Sequence, residues 1–131
     1  MPRESHQPSD AEWKVLHALW KRRKASAREL LEDLRGENWA YTTLKTMLTR
    51  MEEKGFVRSH TLSNAAQYEP LIERGETQRS ALRSLIERVF EGAAGPLLAH
   101  LAEEERLSGD DRAALEKRLR ASESKGKRRG R

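Results

Sequence analysis

The sequence predicts a mainly α fold. Good helix formers (Leu, Ala, Glu and Arg) abound, only 5% of residues are aromatic, and the alternating Val, Ile and Thr runs of sheet proteins are missing. At 131 residues, 36% hydrophobic and 36% charged, the chain can bury one modest core and one appendage that depends on a partner.

Ser9-Asp10-Ala11-Glu12 reads as a capping box, because the Ser hydroxyl can accept an orphan backbone N–H while the Glu carboxylate reaches back. A first helix over 9–23 then places Trp13, Leu16, Leu19 and Trp20 on one face and closes on Lys21-Arg22-Arg23-Lys24. Ser26-Ala27-Arg28-Glu29 repeats the box for a short second helix, with Leu30, Leu31 and Leu34 on one face and Gly36 as its stop. A third helix over 40–54 turns Leu44, Met47, Leu48 and Met51 inward and ends at Lys54-Gly55. Phe56 to Leu62, a polar tip at Ser63-Asn64, and Ala65 to Glu69 before Pro70 then predict a two-strand hairpin. Three helices joined by short turns and followed by one hairpin make a winged helix-turn-helix, the hairpin being a small β-hairpin wing.

Beyond it, a helix over 73–91 carries Leu82, Leu85, Ile86, Val89 and Phe90 on one stripe, and Gly92 to Pro96 interrupts it. Leu97, Leu98 and Leu101 begin another apolar face. Ser108-Gly109-Asp110-Asp111 opens a last helix with Ala114, Leu115 and Leu119 inward. These three stripes belong to a region too small and segmented to fold alone, so a C-terminal helical dimerisation arm is expected; folding back on the N-terminal core in a monomer is the alternative. The expected organisation is an N-terminal arm (1–8), a winged-helix domain (9–71), a helical dimerisation region (72–121) and a basic, disordered tail (122–131).

Charge has to be located before it is used. Residues 1–71 hold 12 Lys/Arg and 10 Asp/Glu, residues 72–124 hold 9 and 11, and residues 125–131 hold 5 and 0, so the net +5 resides in the tail. Such a tail would add counterion release to any nucleic-acid contact. The chain has no cysteine, which excludes disulfides and thiolate metal sites, and the four His show no ligand spacing, so no metal or cofactor is expected. No apolar run approaches bilayer length and residues 1–10 carry no signal-peptide core; a cytoplasmic protein without membrane insertion is expected. Paired carboxylates in a concave site, a nucleophile beside a His and a Gly-rich phosphate loop are all missing from the pattern, which argues against an enzyme.

On the third helix the side opposite the apolar one carries Thr42, Lys45, Thr46 and Thr49, with Thr43 and Arg50 beside them. Short hydroxyl side chains let a helix approach base edges, Thr methyls can pack on thymine methyls, and Lys45 can contact guanine acceptors or a phosphate. Ser26, Ala27 and Arg28, at the start of the second helix, form a candidate phosphate seat. Arg58, His60 and Asn64 on the wing, and Arg22, Arg23 and Lys24 before the second helix, are candidate backbone contacts.

Ala11-Glu12-Trp13-x-Val15-Leu16-x-x-Leu19-Trp20, Ala27-x-Glu29-Leu30, Trp39-x-x-Thr42-Thr43-Leu44-Lys45-Thr46-Met47-Leu48-x-Arg50-Met51-x-x-Lys54-Gly55 and Tyr68-x-Pro70-Leu71 resemble the penicillinase-repressor (BlaI/MecI/CopY) family over residues 9–120. The resemblance implies a homodimer that binds inverted-repeat operators in double-stranded DNA, dimerises through its arm and represses antibiotic-resistance or stress genes. It also implies, for some members, a regulatory protease or membrane sensor as partner; the equivalent cleavage place is His100-Leu101, where the family usually has Asn-Phe. The copper-responsive branch relies on C-terminal cysteines, which this chain lacks. Two departures affect the reader itself. Ser63-Asn64 replaces the family's Gly-Arg near the wing tip, and Ala40 replaces a capping Ser, leaving the third helix frayed at its start or reliant on Asn38. The alternative from another class is a winged-helix module that binds protein or structured RNA.

Overall fold

The computed structural model describes residues 7–104 and 106–129, with side chains described up to residue 122. Its elements, in order, are α1 (Asp10–Arg22), β1 (Ala25–Ser26), α2 (Ala27–Asp33), a 3-10 turn (Arg35–Glu37), α3 (Tyr41–Glu53), β2 (Val57–Leu62), β3 (Ala65–Pro70), α4 (Arg74–Val89), α5 (Ala94–Glu103) and α6 (Gly109–Arg129). They form two compact units, one running to Leu82 and one from Arg83 onward.

In the first unit, local side-chain chemistry sets the helix starts. Ser9 Oγ accepts the Glu12 N–H at 3.2 Å while Glu12 Oε1 accepts the Ser9 N–H at 2.9 Å, and Ser26 and Glu29 do the same for α2 at 3.1 and 2.9 Å. α3 has no such support: its N-cap is Ala40, without a side-chain hydrogen bond, and Asn38 lies in the left-handed region closing the 3-10 turn instead of capping α3. The far end of α3 is well closed. The Phe56 N–H reaches Met51 O at 2.9 Å and the Gly55 N–H reaches Glu52 O at 3.0 Å, a Schellman motif that requires the positive φ of Gly55 (87°).

Val15, Leu16 and Leu19 of α1, Leu30 of α2, and Leu44, Leu48 and Met51 of α3 close one core with Phe56, Val57 and Tyr68 from the sheet side. Trp20, Trp39 and Met47 pack partly against it. Trp13, His17 and Trp20 form a three-ring cluster along α1, with centroids 5.7 Å (Trp13–His17, stacked), 5.5 Å (His17–Trp20, edge-on) and 6.1 Å (Trp13–Trp20) apart. Trp20 Nε1 donates to Ile72 O at 3.0 Å, tying α1 to the segment that leads into α4.

The wing is the expected two-strand hairpin, β2–β3, and the two-residue β1 adds to it on the far side of β3. Its sheet has three antiparallel strands in the order β1-β3-β2, with Tyr68 of central β3 opposite Ala25 on one side and Ser59 on the other. β1 is only two residues long, below the length at which a strand pattern can be read, so Ala25-Ser26 showed itself only as a helix start. Ser63 and Asn64 form the tip with φ of 52° and 67°, the pair of positive values of a type I′ turn, whose twist suits a two-residue hairpin. α2 is shorter than expected: it ends at Asp33, and the 3-10 turn carries the chain past Gly36.

The second unit contains the last turns of α4 and helices α5 and α6. Glu91 and Gly92 take φ of 52° and 86° after α4, and the Gly92 N–H closes on Ile86 O at 2.9 Å. The interruption is shorter than the expected Gly92–Pro96. α5 already begins at Ala94, and Pro96 sits in its first turn, where a missing N–H removes no helical hydrogen bond. Ser108 and Asp111 cap α6 reciprocally, at 3.0 and 3.1 Å. α6 runs to Arg129, past the Ser122 beyond which disorder is expected; Lys and Arg are good helix formers once an upstream nucleus exists. Residues 1–6, most of the expected N-terminal arm, lie outside the described residues.

Candidate nucleic-acid interface

With Leu44, Leu48 and Met51 committed to the core, α3 presents the opposite arc of its surface. Thr42, Thr43, Thr46, Thr49 and Arg50 are all exposed on it. Thr46 lies nearest the centre of that arc, Thr43 and Arg50 border a cleft shared with Ser9 and Ala11 of the α1 start, and the opposite flank faces the wing. Thr49 Oγ1 donates back to Lys45 O at 3.1 Å.

Lys45 does not stand on this arc as a free side chain. It is half-buried, its Nζ donates to Tyr68 Oη at 3.1 Å, and the ammonium lies 5.7 Å from the Tyr68 ring centroid. The hydrogen bond to the Tyr68 hydroxyl holds the Lys45 pKa above its ordinary range. Glu52 makes a second link to the wing, accepting from the Ser59 hydroxyl at 3.0 Å.

Among the wing candidates, Arg58 is engaged: its Nε donates to Glu69 Oε2 at 2.8 Å, its Nη2 reaches the same oxygen, and the two residues are opposite in the β2–β3 register. Hydrogen bonding to Arg58 pushes the Glu69 carboxyl below its usual range. Arg58 therefore brings little net charge to a ligand. His60 and Asn64 are exposed.

At the α2 start, the Ser26 N–H and hydroxyl are used in the capping box, the Ala27 side chain is buried, and Arg28 is exposed. The Arg28 guanidinium lies 5.0 Å from the centre of the Tyr41 ring, which joins the α2 start to the first residue of α3. Tyr41, 37% exposed, was not among the sequence candidates; an aromatic at a helix start has no helical-face signal, and only the approach of α2 reveals its place. Arg22 hydrogen-bonds Asp33, with Nη2 to Oδ1 at 3.0 Å, while Arg23 and Lys24 are exposed. Arg28 and Arg50 make no ion pair among the described residues.

The buried Glu12 carboxylate braces this surface from behind. Besides its cap on Ser9, it accepts Lys54 Nζ at 2.8 Å and so joins the start of α1 to the end of α3. A short helix held at both ends against a core, with hydroxyls outward and unpaired guanidinium groups at its borders, can lie in a major groove and contact base edges and phosphates.

The family model described as penicillinase repressor matches residues 8–121. The chain belongs to the penicillinase repressor family. Members of this family are DNA-binding transcriptional repressors and not enzymes. Among its relatives, the methicillin resistance regulatory protein MecI of Staphylococcus aureus (strain N315) is 29% identical over 112 residues, covering 85% of this chain and 91% of MecI. The penicillinase repressor of Bacillus licheniformis is 27% identical over 106 residues, covering 80% and 83%. Two solved structures share the fold: the apo form of wild-type MarR from E. coli, with a TM-score of 0.52 at 20% identity over 91% of this chain and 80% of MarR, and a MarR mutant complexed with operator DNA, with 0.51 at 22% over 92% and 79%. The winged-helix fold of this repressor is thus shared well beyond its own family. Among the described residues there is no cluster of His, Asp or Glu able to hold a metal ion, and no helix long and apolar enough to cross a membrane.

Proposed function

We propose that the chain is a homodimeric repressor that binds inverted-repeat operators and controls antibiotic-resistance or stress genes. The observation that carries this reading is the hydroxyl face of α3, with Thr42, Thr43, Thr46 and Thr49 exposed between two unpaired cations, Arg28 and Arg50. In this reading the threonines meet base edges, while Arg28, Arg50 and the exposed His60 and Asn64 meet the backbone. The relatives' names support the gene class, since MecI is named for methicillin resistance.

Dimerisation is supported by apolar side chains that this chain does not cover: Leu82 is 47%, Val89 56% and Leu119 49% exposed, and Leu98 is exposed as well. Leu85, Ile86, Phe90, Leu97, Leu101 and Leu115 are only half-buried. A dimer also explains affinity, because two half-sites held at fixed spacing supply together what one recognition helix cannot. A regulatory protease coupled to a membrane sensor would meet His100 and Leu101 inside α5, so a cut there would require that helix to open first.

Selection from random duplexes with the purified protein tests the reading. The expected winners share a dyad-symmetric motif and bind two chains per site. Absence of any duplex preference, together with tight binding to a protein or a structured RNA, would replace this reading with that of a non-DNA winged-helix module.

A further inference from the structure

Within the DNA-binding reading, on which this inference rests, we infer that Lys45 contacts a backbone phosphate and does not read a base, and that Tyr68 is the residue that positions it. At 100° per residue Lys45 stands about a quarter-turn from Thr46, the centre of the exposed arc, and on the side facing the wing. A groove-bound helix points the centre of its free face at base edges and its flanks at the two sugar-phosphate walls. The ammonium is drawn further to that flank by the Tyr68 hydroxyl at 3.1 Å.

The charge itself also calls for an anion. Lys14, Lys54, Arg22 and Arg58 of the same unit each meet a carboxylate; Lys45, like Arg28 and Arg50, makes no ion pair among the described residues, and its ammonium is held only by a neutral phenol oxygen. A phosphate oxygen would give this ammonium the counter-charge that the phenol does not supply. Tyr68 is held firmly enough to position a neighbour, since its ring is buried and its backbone is the centre of the three-stranded sheet. Lys45 is charged at neutral pH by its ordinary pKa, and the hydrogen bond to the phenol moves that pKa further up.

The test is a double-mutant cycle of Lys45→Ala and Tyr68→Phe, with affinities read for the duplex that the wild type selects, for single base-pair variants of it and for a random-sequence duplex of equal length. Lys45→Ala should weaken all duplexes by a common factor and lower the slope of log affinity against log salt by about 1. Tyr68→Phe keeps the ring and the core; it should weaken binding roughly twofold to tenfold when Lys45 is present and leave it unchanged in the Lys45→Ala background. Lost discrimination at one base pair in Lys45→Ala, with random-duplex affinity intact, would make Lys45 a base reader and overturn the inference. Equal losses from Tyr68→Phe in both backgrounds would overturn the positioning role. A wild-type protein that prefers no duplex sinks the proposed function instead, an outcome visible before any variant is made.

Discussion

At the scale of single residues, Thr46 is the cleanest probe of the reading face, because it is exposed at the centre of the free arc and makes no side-chain hydrogen bond among the described residues. Thr46→Ala is expected to cost on the order of 1 to 3 kcal/mol of operator affinity. The melting temperature should move little; operator binding equal to wild type would remove Thr46 from the interface. A different pair of residues sets the acid limb of stability. Hydrogen bonding to Arg22 lowers the Asp33 pKa, and hydrogen bonding to Arg58 lowers that of Glu69. A depressed carboxylate adds stability that is present above its unfolded value, near 4, and is lost as pH falls through the folded one. The Asp33→Asn, Glu69→Gln double variant should therefore lose less stability than wild type between pH 5 and the acid transition, as denaturant titrations would show. Both pairs are partly solvent-exposed, so the effect is screened. These partnerships also mark where sequence reasoning stopped. The threonines follow from helical periodicity and the Ser63-Asn64 tip already sets Arg58 opposite Glu69, but Lys45 meets Tyr68, 23 residues away, only through the packing of α3 beside the sheet, which no local pattern states.

Among the elements, the helix starts were the most legible features. Ser9, Ser26 and Ser108 each bond within three residues, so sequence and structure carry the same signal. Short or compensated features were not legible: two-residue β1, the reversal at Glu91-Gly92, and the continuation of α6 through a Gly/Ser/Lys/Arg stretch. The start of α3 is the exception that lends itself to engineering. Ala40 already has extended N-cap geometry, with φ −74° and ψ 156°, yet offers no acceptor to the first turn. Ala40→Ser should stabilise the fold by about 0.5 to 2 kcal/mol, seen as a higher denaturant midpoint at unchanged slope. An unchanged midpoint would show that another group already satisfies those N–H donors.

For the molecule as a whole, the decisive question is what covers the α4 stripe. Ile86 lies within it, and burying a side chain of that kind is worth roughly 1.5 to 3 kcal/mol. Ile86→Asp should sediment as a monomer at micromolar concentration, keep a folded first unit and bind operator far more weakly. A folded dimer would place the interface elsewhere, and a chain that unfolds throughout would show that the stripe supports its own fold. The means of telling these outcomes apart is built into the chain. All three tryptophans, Trp13, Trp20 and Trp39, lie in the first unit, and Trp20 is hydrogen-bonded to Ile72. Intrinsic fluorescence therefore watches the reader, while the helical ellipticity of α5 and α6 belongs to the arm. An arm that melts alone changes ellipticity and leaves the emission maximum in place, so the unmodified protein carries separate optical labels for its two parts.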